Sequence, residues 1–183
     1  MVHVRDESGC ATHRRCYQLL TSTYYNESCD SFNWRLSMVP LPDTPGTYVL
    51  LLNLLQPLSV QVGRLGNFRL DSGVYAYVGS AHGPGGLKAR VNRHLRREKP
   101  LHWHIDYLLP HTRIMAVYYV TTSVHLECAW NQSLCTLTGA KVPISGFGAS
   151  DCHSGCPAHL VQLLPSTISQ VKPTLHNTTL TAK

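Results

Sequence analysis

A strand, a glycine-rich turn and a basic helix follow one another in residues 75–97, and this order constrains the fold more than any other feature. Tyr75–Ser80 has the composition of a strand, and the glycines after it allow a close backbone approach to a ligand. Wound at about 100° per residue, residues 87–97 form a helix with one apolar stripe, which consists of Leu87, Val91 and Leu95. Because that stripe must face a core, the flank beside it lies at the rim of the domain, where a basic group can meet a ligand.

The same segment concentrates positive charge. Six of the sixteen Lys and Arg side chains lie between Lys88 and Lys99, opposed only by Glu98. Such a run is most often a solvated helix face, but the glycine-rich turn before it favours a phosphate-binding surface. Residues 45–183 carry twelve Lys and Arg against five Asp and Glu, whereas residues 1–44 carry four against five. The basic excess therefore predicts a polyanionic partner.

The sequence does not favour a membrane partner. The longest apolar run, residues 48–55, is interrupted by Asn53 and is too short to span a bilayer. Arg5, Asp6 and Glu7 stand where a secretory signal peptide would need apolar residues. No helix with a broad apolar face is predicted that would bind an anionic lipid surface. We therefore expect a soluble, cytoplasmic protein.

The pattern of apolar and β-branched residues predicts an α+β domain. Strands are predicted at residues 47–55, 58–63, 67–71, 74–79, 114–122 and 159–164. Helices are predicted at residues 87–97 and from about 123 to 137, while His102–Leu109 is ambiguous. Ser123 can cap the second helix, and Thr138-Gly139 ends it. These elements predict a small antiparallel or mixed sheet flanked by helices.

We divide the chain into three parts. Residues 38–165 hold the predicted elements and form the domain. Residues 1–37 show no clean periodicity, and we expect a disordered extension or an artefact of start-site choice. Residues 166–183, rich in Thr and Ser and without an acidic residue, are predicted to be a flexible tail.

Seven cysteines in a cytoplasmic chain are more typical of free thiols or metal ligands than of disulfides. Cys128 and Cys135 are seven residues apart on a predicted helix, so we interpret them as packing residues on one face. Cys152, Cys156 and His159 lie in a short loop with the residue types of a zinc site, but a fourth ligand is lacking. We rank a structural turn first, a zinc site second and a redox-sensitive thiol third.

Four short motifs occur in an order that resembles the GIY-YIG nucleases. Gly46-Thr47-Tyr48 opens one apolar strand, and Tyr77-Val78-Gly79 ends another. Arg90 and His94 then share one helix face, and Glu127 lies on a later helix. Each motif alone is weak, but the four in this order carry the resemblance.

A tighter resemblance, from Gly46 to about Leu164, is to a subgroup of this superfamily catalogued as a domain of unknown function. Members are small single-domain proteins or are fused to endonuclease III-type DNA glycosylases. The matching segments are Gly73-Val-Tyr-Ala-Tyr-Val-Gly-Ser-Ala81, Gly85-Gly-Leu-Lys-Ala-Arg90, His102-Trp-His-Ile-Asp-Tyr107, Glu127-Cys128, and Ser150-Asp-Cys152 leading to His159-Leu160. The fusion implies DNA repair, with a glycosylase or another repair protein as a partner, but this is association and not chemistry.

The resemblance implies a metal-dependent endonuclease that hydrolyses phosphodiester bonds in DNA. Glu127 would bind one divalent cation, and Mg²⁺ suits a lone carboxylate because it keeps several waters. Arg90 would hold the scissile phosphate through its forked guanidinium. Tyr48 and Tyr77 would line the site, and either could be the base, with Tyr48 favoured. His94 would contact a phosphate or shuttle a proton.

Residues other than these five are predicted to bind nucleic acid: Lys88, Arg93, Arg96, Arg97, Lys99, His102 and His104. If His102 and His104 lay on a strand they would share a face, and the subgroup signature around them implies a role at the site.

Each of these side chains also has an ordinary structural role. Glu127 would complement a helix dipole, and strand tyrosines are most often packing residues. The alternative function is therefore a non-catalytic nucleic-acid-binding module on the same fold. The joint presence of Tyr48, Tyr77, Arg90 and Glu127 favours the enzyme.

Overall fold

The computed structural model describes residues 18–19 and 41–181. Its strands are β1 (Gln18–Leu19), β2 (Gly46–Leu54), β3 (Leu58–Val62), β4 (Gly66–Leu70), β5 (Gly73–Ser80), β6 (Arg113–Thr121) and β7 (Leu160–Leu163). Its helices are α1 (Gly86–Leu95), α2 (His104–Leu108), α3 (Glu127–Cys135) and α4 (Ile168–Thr181), with 3₁₀ turns at Leu109–His111 and Pro165–Thr167. The main sheet is antiparallel in the order β1-β6-β2-β5-β7, and β3 and β4 form a separate hairpin.

The predicted α+β class is confirmed. Each of the six predicted strands agrees with an observed strand to within one residue at either end. The ambiguous segment around residues 102–109 contains the short helix α2, so the strand considered for His102 and His104 is wrong. Asp106 stabilises the start of this helix. Its carboxylate accepts hydrogen bonds from the backbone N–H groups of His102 and Trp103, which precede the first turn.

Side chains of the central strands point alternately to the two faces of the sheet, which divides the core into two layers. On β2, Tyr48, Leu50 and Leu52 face the layer that contains the apolar stripe of α1, the helix α2 and the hairpin. The intervening Val49 and Leu51 face the opposite layer, which contains α3 and α4. Because β2 pairs with β5 on one side and with β6 on the other, it is covered on both faces and both edges. That explains why its sequence is almost continuously apolar.

Two motif glycines are required by close packing. A Cβ added at Gly79 would overlap the hydroxyl and ring of Tyr48, which lies across the paired strand. A Cβ added at Gly46 would overlap the Val120 carbonyl on β6 and the Leu87 side chain on α1. The glycines therefore let a tyrosine ring and a helix lie directly against the sheet.

Helix α3 begins four residues later than predicted. Ser123 does not cap it: the helix starts at Glu127, and Leu126 occupies the capping position. The Leu126 N–H donates to the Thr47 hydroxyl at 3.4 Å, which ties the helix start to the first residues of β2. Residues 122–126 form a connection in which the Thr122 hydroxyl accepts from the Val124 N–H. The later start places Glu127 at the end of the sheet.

The prediction of a flexible tail for residues 166–183 is wrong for the residues described. Residues 168–181 form α4, which packs on α3 and buries Val171, Leu175 and Thr179. The Trp130 indole N–H donates to the Thr179 hydroxyl at 2.9 Å. The spacing of four residues between the three buried side chains is helical, but the threonines and the internal Pro173 concealed it. The domain therefore extends beyond residue 165.

The predicted extension at residues 1–37 lies outside the described residues, apart from the two of β1, which pair with β6. Within the described part of the chain, no helix is both long and apolar enough to cross a bilayer.

Candidate active site at the end of the sheet

The predicted tyrosines lie on adjacent strands and face α1. Strand pairing places Tyr48 opposite Gly79 and Tyr77 opposite Leu50. The ring of His94 on α1 lies close to both phenols, with centroid distances of 5.6 Å to Tyr48 and 6.2 Å to Tyr77. The fold thus brings together three of the five predicted catalytic side chains.

Tyr48, His94 and Asp106 form a buried chain of polar groups. The Tyr48 hydroxyl lies 2.7 Å from Nε2 of His94. On the other side of the ring, Nδ1 has no hydrogen-bond partner and lies 4.0 Å from Oδ1 of Asp106. That carboxylate favours a proton on Nδ1, which leaves Nε2 to accept the hydroxyl proton of Tyr48. The histidine is therefore arranged as an acceptor for the phenol.

Burial keeps His94 neutral. It lowers the pKa of the imidazole to about 3, and the neighbouring charge of Lys99 acts in the same direction, while Asp106 acts against both. Arg90 and Arg93 on the same helix also lower this pKa. At neutral pH the ring is an uncharged hydrogen-bond acceptor.

The lowered pKa of His94 predicts a loss of stability in mild acid. Because the folded-state pKa is about 3 and the unfolded value is about 6.5, the unfolded chain binds a proton first as the pH falls. Above pH ~6.5 the titration of His94 does not change the free energy of unfolding. By pH ~5 it lowers the free energy of unfolding by roughly 2 kcal/mol. We expect His94→Gln, which cannot titrate, to lose less stability than the wild type between about pH 7.5 and 5 in urea unfolding. Equal losses in the two proteins would contradict this protonation state.

Asp106 has a buried carboxylate that contacts two cations of the basic segment. Its carboxylate accepts two hydrogen bonds of 3.0 Å from Arg93 and lies 3.6 Å from the ammonium of Lys99. Burial alone raises the pKa of Asp106, but backbone N–H groups and Arg93 hold it below its ordinary value. Lys99 also donates to the carbonyls of Arg93 and His94, and its side chain is 7% exposed. Arg93 and Lys99, predicted to bind nucleic acid, are thus engaged inside the domain.

Trp103 is a site residue that the sequence did not identify. The guanidinium carbons of Arg90 and Arg93 lie 4.2 and 4.1 Å from the centroid of its ring. Such contacts hold the planar guanidinium groups and leave the N–H donors of Arg90 available, whereas those of Arg93 already donate to Asp106 and to the Pro100 carbonyl. The ring also contacts His94, with centroids 5.4 Å apart. In the sequence, only the position of Trp103 within the subgroup signature, between His102 and His104, indicates a role at the site.

The two histidines of the signature have different surroundings. His102 is exposed and contacts Trp103 edge-on. His104 is partly buried, and its Nδ1 accepts the Gly148 N–H at 3.0 Å, which anchors the loop beside Tyr77. His102 remains accessible to a nucleic acid, whereas the Nδ1 of His104 is already engaged.

Glu127 lies at the start of α3, where its charge acts on both tyrosines. Burial raises the pKa of Tyr48 and of Tyr77 well above the ordinary value; the charge of Glu127 raises both further, and that of Arg90 lowers both. The Glu127 carboxylate accepts a 2.9 Å hydrogen bond from Nδ1 of His159 and is 23% exposed. The charges of Arg90 and Glu127 therefore act on the group formed by Tyr48, Tyr77 and His94, and both tyrosines are protonated at neutral pH.

Two more histidines lie beside this site. His82, in the turn before α1, stacks on His125 with ring centroids 3.9 Å apart. Nε2 of His82 is buried and has no hydrogen-bond partner. Burial lowers the pKa of His82, as does the charge of His125, while the charge of Glu127 raises it. Neither histidine belongs to a motif, so this pair could not be predicted from the sequence.

A basic groove runs along the C-terminal end of α1. Its volume is about 640 Å³, and Arg96, Arg97 and Arg113 contribute to its lining. A separate cleft of about 200 Å³ is bounded by the glycine-rich turn, Arg90 and Trp103. Lys88 is exposed on α1, and Arg96 and Arg97 are exposed directly after it, because the helix ends at Leu95, two residues earlier than predicted. These three predicted residues present their charges to solvent.

A second cluster lies behind Glu127. Cys128, Cys152, Cys156 and His159 place one potential ligand atom each within 4.8 Å of one another. The interpretation of Cys128 as a packing residue is therefore wrong, because its thiol joins the loop cysteines; Cys135 does pack against the second core layer. The thiol of Cys128 on α3 thus adds a fourth potential ligand to the three of the loop.

The fold and site define an α+β domain with a tyrosine-lined polar site at one end of its sheet. A family model described as Domain of unknown function DUF123 matches residues 47–180, and the chain belongs to that family. This agrees with the subgroup that the motifs indicated. No curated protein and no solved structure matches the chain. The family description states no activity.

Proposed function

We propose that this protein is a metal-dependent endonuclease of the GIY-YIG type that hydrolyses phosphodiester bonds in DNA. The observation that carries the proposal is that Tyr48, Tyr77 and His94 lie together, with Arg90 stacked on Trp103 beside His94 and the charges of Arg90 and Glu127 acting on both phenols. Hydrolysis of a phosphodiester needs a positioned water, a proton acceptor and positive charge on the phosphate. These side chains supply all three when a divalent cation is bound.

Arg90 is the group that holds the scissile phosphate. Its contact with Trp103 fixes the plane of the guanidinium, and the cleft beside it is open to solvent. A forked donor can bind two phosphate oxygens at once. The exposed charges of Lys88, Arg96 and Arg97 extend this surface, so the flanking phosphates of a DNA strand would lie along the groove of α1.

Tyr48 and His94 provide the path for the proton. A protonated phenol is a poor base by itself, and burial makes it a weaker acid. His94 removes this obstacle because its Nε2 can accept the Tyr48 proton while the phenol oxygen takes one from water. The Asp106 carboxylate 4.0 Å from Nδ1 would stabilise the imidazolium that forms.

Glu127 suits a single hydrated cation. One carboxylate oxygen is engaged by His159, and the partial exposure of the side chain allows an ion to reach it. Mg²⁺ binds through one or two carboxylates and keeps several waters. When bound, the ion would stabilise the charge that develops on the phosphate oxygens.

A non-catalytic nucleic-acid-binding module is the second candidate. The observation that favours it is the burial of Tyr48, which is 1% exposed, together with the raised pKa of both tyrosines. A cleavage assay with Mg²⁺ over duplex, abasic, flap and single-stranded DNA separates the two functions. The nuclease proposal requires a product with at least one of these substrates, and a protein that binds them without cutting any would contradict it.

The exposed basic residues predict a change in the salt dependence of DNA binding. We expect Arg97→Ala and Lys88→Ala each to weaken binding to every sequence alike and to lower the slope of log K against log salt by about one. Arg69→Ala is the matched control, because Arg69 is an exposed arginine on β4, outside the basic segment of residues 88–99. Fluorescence anisotropy at several salt concentrations measures the slope. Unchanged slopes in Arg97→Ala and Lys88→Ala would mean that α1 does not face DNA.

We extend the proposal to DNA repair, with a DNA glycosylase or another repair protein as a partner. The support is the fusion found among the proteins that the motifs resemble, and it is an association. A glycosylase leaves an abasic site, which is why abasic DNA belongs in the substrate panel.

A further inference from the structure

The cluster behind Glu127 has the composition of a zinc site. Three thiols and one imidazole converge: Cys128 from the first turn of α3, Cys152 and Cys156 from the loop, and His159 from the residue before β7. Cys128 Sγ lies 3.5 Å from Cys152 Sγ and 3.9 Å from Nε2 of His159. Three thiolates with one imidazole are a common ligand set of structural zinc, and soft thiolates exclude Mg²⁺.

The distances fit a tetrahedral ion. With zinc–sulfur bonds of about 2.3 Å and a zinc–nitrogen bond of about 2.0 Å, ligand atoms lie about 3.5–3.8 Å apart. The two distances above fall close to this range, and the limit of 4.8 Å for the set requires the widest pair to close by about 1 Å. A disulfide between Cys128 and Cys152 would require their sulfurs, now 3.5 Å apart, to approach to about 2.05 Å.

The surroundings of His159 match those of a zinc ligand. Its side chain is 3% exposed, and the Nδ1 hydrogen bond to Glu127 leaves Nε2 facing the thiol of Cys128. A carboxylate that accepts from the far nitrogen of a ligating histidine fixes the ring and its tautomer. Backbone bonds hold the same residue in place, since His159 donates to Phe147 and accepts from Val78 on β5.

We propose that Cys128, Cys152, Cys156 and His159 bind one structural zinc ion, which fixes the loop of residues 150–156 and, through His159, the carboxylate of Glu127. The ion links α3, the loop and the start of β7, three segments separated in sequence. Glu127 would then act twice, as the partner of His159 and as the ligand of the catalytic cation. The zinc site itself does not depend on the proposed nuclease activity; only the second role of Glu127 rests on it.

Metal content of the untagged protein, purified without added metal and dialysed, tests this proposal. We expect one zinc per chain by mass spectrometry in the wild type and none in Cys152→Ser or Cys128→Ser. Cys135→Ser is the matched control, because this thiol lies on α3 but outside the cluster, and it should retain one zinc. Wild-type protein without zinc, or full zinc content in both cluster variants, would overturn the proposal.

Cobalt replacement keeps the test independent of whether the variants fold. Wild-type protein loaded with Co²⁺ should show the thiolate-to-cobalt charge-transfer band and the strong visible bands of tetrahedral coordination. Glu127→Gln should retain the tetrahedral spectrum and bind zinc about 10–100-fold more weakly in competition with a chromophoric chelator. A cobalt spectrum without thiolate bands would contradict the metal site. Unchanged zinc affinity in Glu127→Gln would contradict the role of Glu127 in positioning His159. None of these measurements depends on cleavage, so the zinc site and the nuclease can fail separately.

Discussion

Glu127→Gln is expected to reduce DNA cleavage by about three orders of magnitude or more while preserving the fold and DNA binding. The change removes the charge that would hold the catalytic cation, and metal stabilisation contributes several kcal/mol to the barrier, each ~1.4 kcal/mol being a factor of about ten. The glutamine oxygen can still accept the hydrogen bond from Nδ1 of His159. If Glu127 only complemented the dipole of α3, Glu127→Gln would lose about 1 kcal/mol of stability or less, and its cleavage rate would be unchanged.

Single-turnover cleavage and melting temperature should be measured together for this variant, at a zinc concentration that saturates the cysteine cluster. Glu98→Gln is the matched control, because it removes the same charge from an exposed carboxylate in the basic run. It should cleave at the wild-type rate. A fully active Glu127→Gln protein would end the assignment of Glu127 as the metal ligand.

Arg90→Lys is expected to cost about two to three orders of magnitude in cleavage rate, an effect comparable to the loss of one transition-state donor. The positive charge remains, but the fork that binds two phosphate oxygens is lost, as is the planar contact with Trp103. Because charge dominates DNA affinity, most of the salt-dependent binding should persist.

The control for this change is Arg96→Lys, on the exposed side of the same segment. It keeps the charge in the groove and should leave both cleavage and binding near wild type. Equal single-turnover rates for Arg90→Lys and the wild type would contradict the phosphate-holding role. A parallel loss of binding and rate would instead mean that Arg90 acts on DNA affinity alone.

The strands of this fold could be predicted from sequence because their signal is local. The apolar run of β2 and the alternating residues of the hairpin reflect burial of each strand. The start of α3 could not be predicted in this way, since it depends on a hydrogen bond between Leu126 and Thr47, 79 residues apart. Ser123 offered a local capping signal, but the tertiary contact determined the start instead.

In the candidate site, too, local motifs could be read from the sequence, but contacts between distant residues could not. Tyr48, Tyr77 and Arg90 belong to motifs, whereas the roles of Trp103 and Asp106 depend on their packing against α1. Nothing in the local sequence indicated that Asp106 would engage two of the predicted DNA-binding cations. The motifs therefore named the candidate catalytic groups and included Trp103 and Asp106 in one segment, but they did not show which side chains these two residues contact.

The fourth member of the cysteine cluster, Cys128, was missed for a related reason. A spacing of seven on a helix places Cys128 and Cys135 on one face, which is the pattern of packing residues. The two are nevertheless separated by two turns, so the first reaches the loop at the end of the sheet while the second contacts the core. Only the return of the chain at residues 150–159 brings the four ligands together.

The most direct test of the nuclease is the Mg²⁺ dependence of cleavage, measured with DNA binding on the same wild-type protein. The site predicts that the single-turnover rate is negligible without added Mg²⁺, rises with Mg²⁺ and saturates, while binding persists without Mg²⁺ because Lys88, Arg90, Arg96 and Arg97 carry it. Tight binding with no cleavage at any Mg²⁺ concentration would contradict the enzyme and assign the domain to nucleic-acid binding alone.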